Sequence, residues 1–230
     1  MHCPRRARLR GVCARTSLSK KTLREVAEEL EAEWSPEDAL TFRPRYNAAP
    51  SETLWILRHG ADRRVIAPAV WGYRAKDRPL INVRGESVGA GGFREAFASR
   101  RCGVVVDGFY EWDKERRPTW FHRPDGGLIV LGGLYQTVPD GAPRFTILTT
   151  RPNRLVAAVH DRMPLVVPPA RIDDWLIGEA PRVVDLIAAA PESALIATPV
   201  SKRVNSVKND DPGCLLPVAR VAGPTQGNLF

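Results

Sequence analysis

A chain of 230 residues with 43% hydrophobic and 26% charged side chains can bury a real core, as one large domain or two small ones. The net charge of +8 points to a polyanionic partner, but Arg5, Arg6, Arg8 and Arg10 supply four of those charges; the remaining +8 − 4 = +4 is no longer diagnostic. No apolar run approaches the ~20 residues of a membrane span. Cys3, Cys13, Cys102 and Cys214 are too scattered for a zinc site, a redox dithiol or a disulfide framework, so a cytoplasmic protein with no metal and no cofactor is expected.

Residues 1–12 carry four arginines, no acidic residue and none of the apolar stretch of a secretory signal. Ser19 or Thr22 can cap a first helix, in which Leu23, Val26, Ala27 and Leu30 recur at helical spacing. It should end near Trp34, where Ser35-Pro36 breaks the pattern. Residues 43–51, with two prolines, read as an extended loop, and 54–57 and 65–71 as strands around a turn at Gly60-Ala61-Asp62. A glycine-rich break at 89–92 precedes a short helix over 93–99. Strands are predicted at 103–110, 119–122, 128–135 and 145–149, followed by a short helix over 153–159 that leads into His160. Beyond it, 162–167 reads as strand, 169–177 and 182–189 as helices, and 194–207 as mostly strand. Strands in the middle with helices at both ends indicate an α+β domain on a curved, partly closed, mainly antiparallel, barrel-like sheet. The chain thus divides into a leader (1–12), a single domain (13–218) and a flexible polar tail (219–230).

Three segments set a polar residue inside apolar sequence. Glu111 ends the run Val104-Val-Val-Asp-Gly-Phe-Tyr-Glu-Trp112; desolvation by Tyr110 and Trp112 would raise its pKa and suit it to general acid/base work. A surface glutamate pointing to water fits the same segment. His160 lies between an apolar helix and a strand, where structural and catalytic histidines both occur. In Leu80-Ile-Asn-Val-Arg-Gly-Glu86, Asn82 and Arg84 share one strand face, on which they could orient a sugar and hold a phosphate, or simply meet solvent.

Together with Cys13-Ala14-Arg15, Arg45-Tyr-Asn-Ala-Ala-Pro50, Trp71-Gly72, His160-Asp-Arg-Met-Pro164 and Val204-Asn-Ser-Val-Lys-Asn-Asp-Asp-Pro212, these segments occur in an order that closely resembles the SOS-response-associated peptidase (SRAP) family. The resemblance runs from Cys13 to about Val218. It implies a sensor and shield of abasic sites in single-stranded DNA, joined covalently to the lesion through an N-terminal cysteine, with peptidase- or lyase-like activity. On that resemblance Cys13, Asn82, Glu111 and His160 are the catalytic residues, and Arg15, Asn47, Trp71, Arg84, Trp112 and Arg162 contact DNA. The family fold, a curved β core with flanking helices, agrees with the reading above, and a monomer is expected.

The chemistry suits these residue types. An α-amine has a pKa near ~8, so a useful fraction is neutral at pH 7 and can attack the aldehyde of a ring-opened abasic site. The thiol of the same residue then closes a thiazolidine ring intramolecularly. Three departures stand out: Ala14 where the family has glycine, Val83 where it has alanine, and a tryptophan-rich stretch shortened to Tyr73-Arg-Ala-Lys-Asp77. An internal Cys13 has no free α-amine, so the mechanism requires loss of the leader, by self-cleavage or, as expected from its unlike composition, by translation starting at Val12. The terminal Gln226-Gly-Asn-Leu-Phe230 resembles peptides that dock on the bacterial sliding clamp, with Gln226, Leu229 and Phe230 as anchors. Two other readings stay open: a cysteine hydrolase using Cys13 and His160, and a single-stranded nucleic-acid-binding module without chemistry.

Overall fold

The computed structural model describes residues 14–219, except 21, 76–77, 140 and 180–181. After strand β1 (Thr16–Leu18), helix α1 (Leu23–Glu29) begins at a capping box: Thr22 Oγ1 accepts from the Glu25 N–H at 3.1 Å, and the Glu25 carboxylate accepts from the Thr22 N–H at 2.9 Å. The helix stops short of Trp34, because Glu31 takes a φ of 50° and the chain turns into the two-residue strand β2 (Ala32–Glu33). Ser35-Pro36, expected only to break a helix, also starts one. Ser35 caps the one-turn α2 (Pro36–Ala39), and proline is tolerated in a first turn because its missing N–H would have no partner there.

The loop expected over 43–51 contains strand β3 (Arg45–Ala48), which pairs with β1. The next two strands, β4 (Thr53–His59) and β5 (Arg64–Trp71), form the predicted hairpin. Then follow β6 (Asn82–Arg84) and α3 (Arg94–Ser99). The strand expected over 103–110 is two strands, β7 (Arg101–Val106) and β8 (Gly108–Trp112). Asp107 divides them: its carboxylate accepts from Ser17 Oγ at 2.6 Å and from the backbone N–H and hydroxyl of Ser19, tying the break to β1. The chain continues through β9 (Pro118–His122), β10 (Ile129–Val138), β11 (Gly141–Thr150), α4 (Arg154–Ala157), β12 (Met163–Pro164), β13 (Val166–Val167), α5 (Ile172–Ile177) and β14 (Ile196–Pro199). The helix expected over 182–189 is only a 3-10 turn, Val184–Leu186, and the strand expected to reach 207 ends at Pro199 before a second such turn, Lys202–Asn205.

Strands β5, β4, β7, β10 and β11 are successive antiparallel neighbours, and β11 returns to pair in parallel with β5 (Arg144↔Val70, Phe145↔Trp71). That pairing closes a five-stranded barrel. The other sheet runs β14-β9-β8-β1-β3 and is wholly antiparallel. The fold is therefore the expected single α+β domain with a mainly antiparallel, barrel-like sheet.

Side-chain alternation along the barrel strands separates two cores. Leu54 and Ile56 of β4 join Val104, Leu131, Phe145 and Ile147 inside the barrel. Trp55 and Leu57 face outward, toward Leu23 and Val26 of α1, Phe97 of α3 and Trp175 of α5. Each fully buried aliphatic or aromatic side chain contributes roughly 1.5–3 kcal/mol. The buried Arg101 fastens the helices to β7: it donates to the carbonyls of Phe97 and Ala98 at the end of α3, and to those of Trp175 and Gly178 at the end of α5.

Candidate functional site

The two faces of β8 do different things. Tyr110 points into the segment that follows β14, packing with Val200, Val204 and Cys214, and its hydroxyl donates to the Tyr46 carbonyl at 2.6 Å. Phe109 points the other way, stacks on Phe121 across the ladder at 5.3 Å and joins the barrel cluster. Glu111 continues the Phe109 row, opposite Thr119, and is only 2% exposed. Of the two readings of Glu111, burial selects the desolvated carboxylate. The strand can lie this close to β9 because residue 108 is glycine; a Cβ there would sit 2.0 Å from Trp120 Nε1.

Strand β1 runs antiparallel to β8 (Thr16↔Phe109, Ser17↔Gly108), and the Tyr110 N–H extends the ladder by donating to the Arg15 carbonyl at 3.1 Å. The beginning of the described chain thus runs alongside the strand of Glu111. The Arg15 guanidinium lies over the Trp112 ring, 6.0 Å from its centroid, and burial lowers its pKa from the usual arginine value. Trp112 is half-buried, its Nε1 donating to Asn205 Oδ1 at 2.6 Å. Cys13 and the leader lie outside the described residues, as do Gln226, Leu229 and Phe230.

Strand β6 pairs in parallel with β11, setting Asn82 beside Ile147 and Arg84 beside Thr149. Val83 packs against the helix-side core, so Asn82 and Arg84 stand on the other face; Asn82 is half-buried and Arg84 exposed. His160 is placed by α4. Asn153 caps that helix by accepting from the Val156 N–H at 2.9 Å, Val156 enters the barrel cluster, and the His160 N–H donates to the Val156 carbonyl at 2.9 Å. The Arg162 N–H lies 3.1 Å from His160 Nδ1, and Asp161 Oδ1 lies equally close. Toward the Arg162 N–H the ring nitrogen is an acceptor, whereas toward the Asp161 carboxylate the same atom is a donor. Glu111, Asn82 and His160 are thereby anchored to one apolar cluster, through Phe109, Ile147 and Val156 respectively.

Three expected DNA contacts are occupied otherwise. Trp71 is 0% exposed, packed inside the barrel with its ring parallel to Phe145 and its Nε1 donating to the Ile81 carbonyl at 2.9 Å; no face is open for a base. Asn47 is 1% exposed and its Nδ2 donates to the carbonyls of Val204, Ser206 and Asn209, making it an anchor for that loop. Asp210 completes the anchor by accepting from the backbone N–H groups of Tyr46 and Asn47 and from Arg45. Arg162 spends its fork on Glu86, at 2.7 and 2.8 Å, and on the Thr149 carbonyl at 2.6 Å. Glu86 had no signal in the sequence, because its partner lies 76 positions away.

A cleft of about 750 Å³, lined among others by Leu30, Leu128, Val130 and Val167, contains none of the expected site residues. Among the described residues, no three His, Cys, Asp or Glu side chains are grouped to hold a metal ion, and no helix is long and apolar enough to cross a membrane.

The sequence profile of the SOS response associated peptidase (SRAP) family matches residues 12–207. The abasic site processing protein YoqW of Bacillus subtilis (strain 168) is 33% identical over 194 residues, covering 74% of this chain and 85% of its own. The abasic site processing protein YedK of Escherichia coli (strain K12) is 30% identical over 188 residues, covering 76% and 85%. A solved protein from Bacteroides thetaiotaomicron superposes with a TM-score of 0.79 over 90% of this chain and 100% of that one, a likeness of fold at 18% identity. The chain belongs to the SOS response associated peptidase (SRAP) family.

Proposed function

We propose that this protein captures abasic sites in single-stranded DNA by covalent attachment to Cys13, once the amine of that residue is free. The observation that carries the reading is the buried carboxylate of Glu111, on the strand that the chain entering from Arg15 runs beside. The names of the relatives, abasic site processing proteins, support the substrate.

In the proposed reaction the neutral amine attacks the aldehyde carbon of the ring-opened sugar. Proton transfer to the departing oxygen releases water and leaves an imine. The thiol adds to the imine carbon while the nitrogen takes a proton, giving the thiazolidine. Glu111 carries protons in these steps, as the buried carboxylate on the strand beside which the chain enters. His160 exchanges protons with the sugar hydroxyls, and Asn82 orients the sugar or the amine. Arg15 and Arg84 hold backbone phosphates, and Trp112 offers a stacking face to a base. The desolvated Arg15 beside an aromatic ring suits a phosphate partner, because an anion restores what burial removes.

The test is crosslink formation with an abasic single-stranded oligonucleotide, resolved on a denaturing gel, using protein whose mass begins at Cys13. Glu111→Gln should slow the crosslink about 10²–10⁴-fold, the usual worth of a general acid/base. Blocking the amine should abolish it; Cys13→Ala keeps an α-amine and should leave at most a hydrolysable imine, with no stable crosslink. A hydrolysis-resistant crosslink that survives Cys13→Ala would overturn the proposal, and turnover by amine-blocked protein would favour the hydrolase.

A further inference from the structure

We infer that Asp107 is a positioning residue: its carboxylate locks β1 in register against β8 and so brings the chain ahead of Arg15 level with Glu111. The inference rests on the site proposed above and adds a residue to it.

Strand β1 has only three residues, all of them buried, so no alternation of apolar and polar side chains sets its register. The β3 side does not set it either. Thr16 pairs with Ala48 but Leu18 with Arg45, which leaves Tyr46 and Asn47 together opposite Ser17. The N–H groups of both those residues donate to one Asp210 oxygen. On the β8 side, by contrast, three donors converge on Asp107. Ser17 Oγ donates to Oδ1 at 2.6 Å, and the Ser19 backbone N–H and hydroxyl both donate to Oδ2. The Asp107 N–H donates in return to the Ser17 carbonyl at 2.9 Å. With its proton on Asp107, the Ser17 hydroxyl accepts from Trp120 Nε1 of β9 at 2.9 Å. A carboxylate only 7% exposed thus gathers β1, β8 and β9 at one point.

What the lock protects lies upstream. Thr16 sits opposite Phe109, on the row that Glu111 continues, and the Tyr110 N–H donates to the Arg15 carbonyl. Continued by two residues, that register brings Ala14 opposite Glu111. A slip of one residue would turn the Thr16 row to the other face of the sheet. It would also displace the approach to Glu111 by ~3.3 Å, more than a proton transfer tolerates.

The competing view takes Asp107 for an acceptor that stabilises the break between β7 and β8 and nothing more. On that view Asp107→Ala lowers Tm but leaves the folded protein reacting at the wild-type rate. If Asp107 positions, the folded variant should crosslink roughly 10- to 100-fold more slowly at saturating abasic DNA, the scale of a misplaced reacting group. The half-saturating DNA concentration should stay as in wild type. Asp107→Asn should recover most of the rate. Its Oδ1 can accept from Ser19 while its amide donates to the Ser17 hydroxyl, whose proton then turns to the Gly108 carbonyl, 3.4 Å away. Ser17→Ala, which removes one link of the lock, should slow the reaction roughly 3- to 10-fold and carries the test if Asp107→Ala does not fold. The double variant should be no slower than Asp107→Ala alone, because both break the same contact.

Amide hydrogen exchange reads the register without the reaction. The Tyr110 amide, protected by the Arg15 carbonyl, should exchange at least about tenfold faster in Asp107→Ala or Ser17→Ala, beyond any change along the β10–β11 ladder. A wild-type limiting rate in the folded variants would overturn the inference. So would an effect confined to the half-saturating concentration, or Tyr110 exchange that rises no more than the ladder's. If wild-type protein forms no crosslink, the covalent reading fails and the register claim is judged by the exchange alone.

Discussion

Replacing Asn47 with alanine removes one Nδ2 group that donates to three carbonyls, Val204 at 3.1 Å, Ser206 at 2.9 Å and Asn209 at 2.8 Å. Two hydrogens are shared among three acceptors, so about two net hydrogen bonds are lost, near 1 kcal/mol each. The Val204 bond is buried and its carbonyl, left unpaired, adds roughly 1–2 kcal/mol; the other two carbonyls are partly open and can turn to water. The expected destabilisation is about 3–4 kcal/mol. With a urea m-value of roughly 2–3 kcal/mol/M, the unfolding midpoint should fall by about 1–2 M. The loss should be concentrated in the loop that Asn47 holds, which also carries Asn205, the acceptor for Trp112 Nε1. Limited trypsin digestion should therefore cut at Lys208 in the variant well before it does in wild type. A variant with a wild-type midpoint and an uncut loop, yet with weakened DNA binding, would refute the reasoning and restore Asn47 to the DNA surface.

Trp71→Ala should cost about 3–5 kcal/mol in urea unfolding, as for other large-to-small changes in a packed core; a fully stable variant that has lost DNA binding would contradict the buried placement. Arg101→Met should cost at least about 3 kcal/mol, because four carbonyls at two helix ends lose their donor; a change below ~1 kcal/mol would mean water replaces it freely. Hydrogen bonds from Arg162 hold the Glu86 carboxyl below the usual carboxylate range, so its stabilisation is present above the unfolded value, near ~4.3, and is lost as pH falls through the lower folded value. Tm should fall on acidification below about pH 4, and Glu86→Gln should make that fall shallower, by a small amount because Glu86 is part-exposed.

Much of the local structure was legible because its causes are local. The Thr22–Glu25 box, the β4–β5 hairpin and the Asn153 cap depend on residues within one turn or one hairpin of each other. Glu111 and His160 stood out because they interrupt apolar runs, but each alone was open to a structural reading, and their candidate catalytic roles came only from the resemblance of the ordered segments to the SRAP family. Whether Glu111 met water or core was not legible, since its burial comes from Thr119 across the ladder and from a barrel cluster assembled by distant strands.

The amino-acid sequence by itself determined the class of the fold, most of its strands and the polar residues set against apolar surroundings. Tertiary structure alone decided which of those residues face solvent. Ring closure between β5 and β11 turned Trp71 inward, although nothing near it distinguishes a stacking tryptophan from a packed one. Asp107 divided an apolar run that reads as one strand, because its partners, Ser17 and Ser19, lie about 90 positions away. Arg162 likewise met Glu86 instead of an open surface, across 76 positions of chain. The common reason is physical. A side chain's chemistry is set by its residue type, but its partners are set by pairings whose energy depends on the whole closed sheet.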